Sequence, residues 1–170
     1  MEREALEREL AALHVASWGW ALACCRRDEP EAADVLQDAY AKVLSGRARF
    51  GGHASLKTWF FGVIRLTALE RRRVSFFRRA TPMGEAWSNE PPASGPGADE
   101  RVAQRQTAER VSRALGALAP RQREVLHLVF YEEMTLAEAA VIMGVSVGSA
   151  RQHYDRGKQN LHAALERGAS

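Results

Sequence analysis

Cysteine is nearly absent from this chain: its 170 residues include two, Cys24 and Cys25, side by side. Neighbouring residues on a helix cannot bring their sulfurs into bridging geometry, so no disulfide within the chain is expected. His14 and the cysteine pair lack a recognisable ligand spacing. They read as ordinary helix residues, and no metal site is expected. Long apolar runs are missing as well, since none approaches the roughly 20 residues that span a bilayer. The opening "MEREALEREL" is charged and helical in character rather than a secretory leader. A cytoplasmic protein is expected. There is no Gly-rich phosphate loop, no nucleophile elbow and no metal-spaced His/Glu pair, and the five histidines are scattered. These absences exclude the common enzyme classes: no catalytic residue and no cofactor are expected. Strand signals are weak throughout.

Acid is scarce in one region only. Residues 39–80 hold ten Lys and Arg against the single acid Glu70, a balance of +9. Residues 1–38 hold nine acids against four arginines, a balance of −5. The formal net charge of +3 hides this segregation. It implies two partners, one met by an acidic or mixed face and one polyanionic. The sequence pI of about 9.2 favours nucleic acid as the second.

What is present is helix. Four of the six prolines (Pro82, Pro91, Pro92 and Pro96) fall in "TPMGEAWSNEPPASGPGADE" with Gly84, Gly95 and Gly97. That stretch has no apolar periodicity, so residues 81–102 are expected to be a flexible linker. The fold class is all-α: two small helical domains, 1–80 and 103–170, joined by that linker. In the first domain, Leu6, Leu10, Leu13, Trp18 and Trp20 begin an amphipathic pattern. Pro30 marks a helix start, and "EAADVLQDAYAKVL" places Val35, Leu36, Tyr40, Val43 and Leu44 on one side. The other side carries Asp34, Gln37, Asp38 and Lys42. After Gly51-Gly52, Ser55 is placed to cap a helix containing Trp59, Val63, Leu66 and Leu69.

The second domain carries a tighter pattern. In "LAPRQREVLHLVF" Pro120 stands at a first helical position. Thr135 with Glu138 forms a capping box, and Leu136, Ala139, Ala140 and Met143 share an apolar face. Gly144 stops that helix and Ser146 caps the next. The next helix turns Ala150, Tyr154, Gly157, Leu161 and Leu165 inward and Gln152, Asp155, Arg156 and Gln159 outward, flanked by Ser149 and Arg151. Helix, short Gly turn and helix is a helix-turn-helix, whose second helix presents polar side chains to a major groove. Arg and Gln can make paired hydrogen bonds to base edges, while Ser, Lys and helix N-termini hold phosphates.

One stretch, "RFGGHASLKTWFFGVIRLTALERRR", sets Trp59, Phe60 and Phe61 side by side and ends in Arg71, Arg72 and Arg73. Adjacent helical positions point in different directions, so at least one of the three aromatics must leave the buried face. Aromatics beside arginines suit unstacked bases beside phosphates, each stacked base being worth about 1–3 kcal/mol.

With both halves in view, the sequence resembles a bacterial RNA polymerase sigma factor of the extracytoplasmic-function (ECF) group of the sigma-70 family. "EAADVLQDAYAKVL" through "ERRR" is similar to the family's polymerase-binding helix and promoter-melting unit. "LAPRQREVLHLVF" through "RQHYDRGKQNL" is similar to its upstream-element domain. The resemblance implies core RNA polymerase, promoter DNA (duplex and melted strand) and an anti-sigma factor as partners. It implies that Asp34, Gln37 and Asp38 bind polymerase. Phe50, the loop Gly51–Ser55, and Trp59 would capture a base of the downstream (−10) element, with Arg65, Arg71, Arg72 and Arg73 along the DNA backbone. Phe60 and Phe61 are expected to pack. Arg121, Arg123, Ser149, Arg151, Gln152 and Arg156 would bind the upstream (−35) element. The family has no catalytic residues, since nucleotide addition belongs to the polymerase.

Three positions depart from the family's habit: Leu66 stands where Asn is frequent, Ala33 where Glu is, and Asp155 is an acid on the DNA face. These bear on promoter sequence, not on class. The alternative is a stand-alone helix-turn-helix regulator, which would bind duplex DNA without polymerase, commonly as a dimer.

Overall fold

The structure, a computed structural model, describes residues 3–79 and 98–168. Eight α-helices follow in order: α1 Arg3–Ala12, α2 His14–Cys24, α3 Glu29–Leu44, α4 Leu56–Arg79, α5 Ala98–Gly116, α6 Pro120–Leu126, α7 Leu136–Met143 and α8 Val147–Arg167. A single turn of π-helix, His127–Tyr131, extends α6. No strand occurs among the described residues. The C-terminal part of the expected linker is helix, because α5 already begins at Ala98. Residues 81–97 of that linker lie outside the described residues.

Local chemistry starts and stops these helices as the sequence suggests. Asp28 accepts from the Glu31 N–H at 3.0 Å, with Pro30 in the first turn of α3. Thr135 and Glu138 complete the capping box of α7, and Gly144 ends it at φ +64°, a conformation that suits a residue without Cβ. Ser146 then caps α8, accepting from Ser149 N–H at 3.1 Å. Close approach explains a second glycine. A Cβ on Gly157 of α8 would lie 3.2 Å from Leu126 Cδ1 and 3.3 Å from the Gln122 carbonyl oxygen, so α8 rests directly on α6.

The buried side of α4 is the one lined by Phe60, Phe61, Ile64, Thr67 and Ala68. Trp59, Val63 and Leu69 are half-buried and Leu66 is 58% exposed, so the core face is rotated from the stripe through those four residues. Phe60 and Phe61 pack, as expected, and both are fully buried. Leu44, placed on the apolar side of α3, is exposed near the helix end.

Trp20 joins the two halves of the molecule. It is fully buried, its indole N–H donates to the Phe61 carbonyl at 2.9 Å, and its ring stacks on Phe61 with centroids 5.7 Å apart. The same ring meets His127, 5.6 Å away. The buried core is therefore continuous: Leu10, Val35, Phe60 and Ile64 belong to one cluster with Val125, Leu128, Ile142 and Met143. Helix α4 packs on α7, and α2 packs on α6.

Candidate polymerase and promoter surfaces

On α3, Asp34 and Gln37 are exposed and Asp38 is half-exposed. The two carboxylates share one partner. Arg71 of α4 reaches Asp34 Oδ2 through Nη2 at 2.9 Å and Asp38 Oδ2 through Nη1 at 2.8 Å. One guanidinium thus forks two carboxylates one helical turn apart. Lys42 of α3 likewise pairs with Glu70 and donates to Thr67 Oγ1. The acidic and basic blocks of the sequence therefore meet each other in part, so the segregation does not serve outside partners alone. Solvent reaches these pairs, so each contributes little stability.

At the N-terminal end of α4 the loop brings Phe50 onto Trp59, ring centroids 5.4 Å apart and both side chains half-buried. Ser55 caps α4: its Oγ accepts from Thr58 N–H at 3.1 Å and its hydroxyl lies 2.9 Å from Thr58 Oγ1. That hydroxyl is engaged within the protein. The result is an aromatic pair at a helix start with one edge open to solvent.

The arginines of α4 are placed differently from expectation. Arg65 is buried, with Nε donating to Glu124 Oε2 of α6 at 3.0 Å. Arg72 donates through Nη2 to the Cys24 carbonyl at the end of α2, 2.6 Å away. Arg71 holds the α3 carboxylates. Arg73 and Arg78 are exposed, and neither makes a hydrogen bond or ion pair with a described residue. Burial pushes both neighbouring thiols up, Cys25 to about 12, so neither forms a thiolate near neutral pH.

In the C-terminal segment Arg121, Arg151, Gln152 and Arg156 are exposed and Ser149 is half-buried. Asp155 stands 3.8 Å from Lys158, which offsets its charge on that face. His153 lies on the same helix, its pKa lowered by burial and then by the charges of Arg121 on α6 and Arg156 on α8. Arg123 does not join them. It is 3% exposed and donates to the Ala23 carbonyl at 2.9 Å and the Leu118 carbonyl at 3.3 Å. In this arrangement neither Arg65 nor Arg123 can touch DNA, because each is consumed between the two halves.

Sequence reasoning missed four residues that make this junction: Lys57, Glu124, His127 and Glu132. Lys57 Nζ lies 2.8 Å from Glu132 Oε2, and His127 Nε2 lies 3.3 Å from Glu132 Oε1. The available signal was Glu124 itself, an acid set directly before the apolar Val125-Leu126.

Among the described residues the chain is helical throughout its regular structure, with a capped helix-turn-helix, an exposed Arg/Gln face and a separate aromatic–basic helix, which defines its class as a helix-turn-helix protein. Residues 12–75 match Sigma-70 region 2 and residues 114–163 match Sigma-70 region 4. The RNA polymerase sigma factor CnrH of Cupriavidus metallidurans is 31% identical over 161 residues, covering 89% of this chain and 84% of CnrH. The ECF RNA polymerase sigma factor SigM of Mycobacterium tuberculosis is 28% identical over 139 residues, covering 82% of this chain. The chain spans 66% of the length of SigM. In fold, the sigma factor RpoE solved with the anti-sigma factor NepR from Bartonella quintana is similar at TM-score 0.72 and 20% identity, over 96% of this chain and 98% of RpoE. CnrH solved with the cytosolic domain of CnrY is similar at TM-score 0.66 and 23% identity, over 98% of this chain and 90% of CnrH. The chain belongs to the sigma-70 family of RNA polymerase sigma factors, in its ECF group.

Proposed function

We propose that this protein is an alternative sigma factor that binds core RNA polymerase and directs it to particular promoters. The observation that carries the reading is the placement of Phe50 on Trp59 at the start of a helix rich in arginine. A ring platform has nothing to stack on until bases leave the duplex, so this end of α4 acts at strand opening. The Asp34, Gln37 and Asp38 face grips the polymerase. Arg71, which holds both carboxylates, positions that face and is shared between polymerase and DNA. Arg73 follows the backbone. Helix α8 reads the upstream element, Gln152 through a base edge and Arg121, Arg151 and Arg156 through phosphates or base edges, with Ser149 at the helix start. Residues 1–80 and 103–170 form the two working domains, and α5 extends the second. The protein performs no catalysis itself and works with the cytoplasmic polymerase. No helix among the described residues is long and apolar enough to cross a membrane. An anti-sigma factor is the expected inhibitor, as the relatives solved with NepR and CnrY suggest.

Run-off transcription with core polymerase, with and without the protein, tests the reading. Promoter-dependent transcripts are expected only with it. Duplex binding without any effect on polymerase would instead identify a stand-alone regulator. Within the same assay Phe50→Ala is expected to slow permanganate reactivity of unpaired thymines on duplex promoter. A pre-melted bubble should restore part of the rate, because the unpairing cost is then absent.

A further inference from the structure

We propose that Glu124 and Glu132 act as internal stand-ins for promoter phosphates, holding the C-terminal segment closed over α4 in the free protein. This rests on the reading of α4 as the element that faces the melted promoter. Glu124 lies within α6 and Glu132 directly follows the π-helical turn, and each meets a cation of α4. Glu124 pairs with Arg65 at 3.0 Å, the side chains 4% and 9% exposed, and Glu132 pairs with Lys57 at 2.8 Å. A carboxylate offers guanidinium and ammonium groups the same charge-assisted N–H···O contact as a phosphate oxygen. While Glu124 holds Arg65, DNA cannot.

The closure is built to release. Arg123 adds a third tie, to the Ala23 carbonyl, yet its Nη2 is buried with no hydrogen-bond partner among the described residues. A buried guanidinium with an unused donor is costly, and opening removes that cost. Burial and the nearby Arg26 also lower the Arg123 pKa, in keeping with a charge held against preference.

Opening is also required by length. Elements at −35 and −10 lie about 25 base pairs apart, roughly 85 Å at 3.4 Å per base pair. A compact chain of this size is roughly 40 Å across. The packed halves cannot occupy both elements together. The closure is selective too: Arg151, Gln152 and Arg156 stay exposed, so only the α4 side is covered.

The test uses the full chain without polymerase. Small-angle scattering gives its radius of gyration, and binding is measured to a mixed-sequence duplex carrying an unpaired bubble. Wild type is expected to be compact and to bind weakly. Glu124→Gln with Glu132→Gln should be extended and bind about tenfold tighter, as the competent fraction rises. Native helicity with unchanged radius and affinity would overturn the proposal, as would an already extended wild type. An extended variant that binds no tighter would overturn the stand-in role, leaving the sigma-factor reading to the run-off assay. If the double variant loses helicity, a second pair decides. Arg65→Glu alone should be extended, whereas Arg65→Glu with Glu124→Arg should regain the wild-type radius. Equal radii for these two would refute the closure.

Discussion

Helices α4 and α8 each carry a run of basic residues assigned to DNA, yet their side chains lead different lives. On α8, Arg151, Gln152 and Arg156 are exposed and make no hydrogen bond or ion pair with a described residue. On α4, Arg65 is buried on Glu124, Arg71 is forked onto Asp34 and Asp38, and Arg72 is bound to the Cys24 carbonyl. On the proposed reading α8 is ready to meet DNA, whereas the paired arginines of α4 would first have to be freed. A count of positive charge treats them alike. The difference comes from what each helix packs against: α8 leaves one face bare, whereas α4 is covered by α3, α2 and α7.

The largest expected effect comes from removing the residue on which both halves meet. Trp20→Ala deletes a fully buried indole, its bond to the Phe61 carbonyl and its contact with His127. A loss of about 3–5 kcal/mol is expected in denaturant unfolding. A loss near zero would show that the shared core is absent in solution, and with it the contrast between the helices.

Charge reversal sharpens the comparison next. Asp34→Lys with Asp38→Lys removes both partners of Arg71. Co-purification with core polymerase should fall by more than about tenfold, one decade per 1.4 kcal/mol, while helicity is retained. Polymerase binding at the wild-type level would remove these residues from the grip.

On the free helix, effects should be confined to recognition. Gln152→Ala should change preference at one base pair by about 1–3 kcal/mol in a randomised-promoter selection. Arg156→Ala should lower the salt slope of DNA binding by about one unit if its contact is a phosphate. An unchanged selected sequence would show that Gln152 reads nothing.

Smaller effects belong to packing and pH. Gly157→Ala pushes a methyl against Leu126 and Gln122, and a loss of about 1 kcal/mol is expected by thermal unfolding. Burial alone would raise the Glu132 pKa. The His127 ring and the Lys57 ammonium outweigh it and hold the carboxyl below its ordinary value. A depressed carboxyl stabilises the fold fully above its unfolded pKa and loses that contribution as pH falls through the folded one. Closure should therefore be insensitive to pH from neutrality down to the ordinary carboxylate range, and weaken below it. Glu132→Gln should flatten that acid limb; a limb of unchanged depth would place the titrating group elsewhere.

The elements were legible because their signals are local. Thr135 and Glu138 announce α7 within one turn, Gly144 ends it, and Ser146 starts the next helix. The exposed face of α8 follows from the spacing of Ala150, Tyr154 and Gly157 alone. The rotation of α4 was harder to see: Trp59, Phe60 and Phe61 supply an apolar residue to almost any stripe, so the true face depends on what Trp20 packs against. The junction itself was out of reach. Arg65 and Glu124 stand 59 residues apart, and nothing near either one identifies its partner. Ser55 illustrates the converse, since one hydroxyl served equally well as a helix cap and as a candidate DNA contact.

The π-helical turn at His127–Tyr131 has a bearing on which insertions and deletions this chain can tolerate. Its closing bond runs from Glu132 N–H to the His127 carbonyl, five residues back, so the segment holds one residue more than an α-turn of the same height. The turn stacks Tyr131 on His127, centroids 5.2 Å apart, and delivers Glu132 to Lys57. Losing the surplus residue would let the turn relax into an ordinary α-turn of the same height and leave the residues after it near their present phase, whereas losing one from α6 itself would swing the following side chains by about 100°. The turn is therefore the place in this stretch where a one-residue deletion keeps the phase, and the regular part of α6 is where it does not.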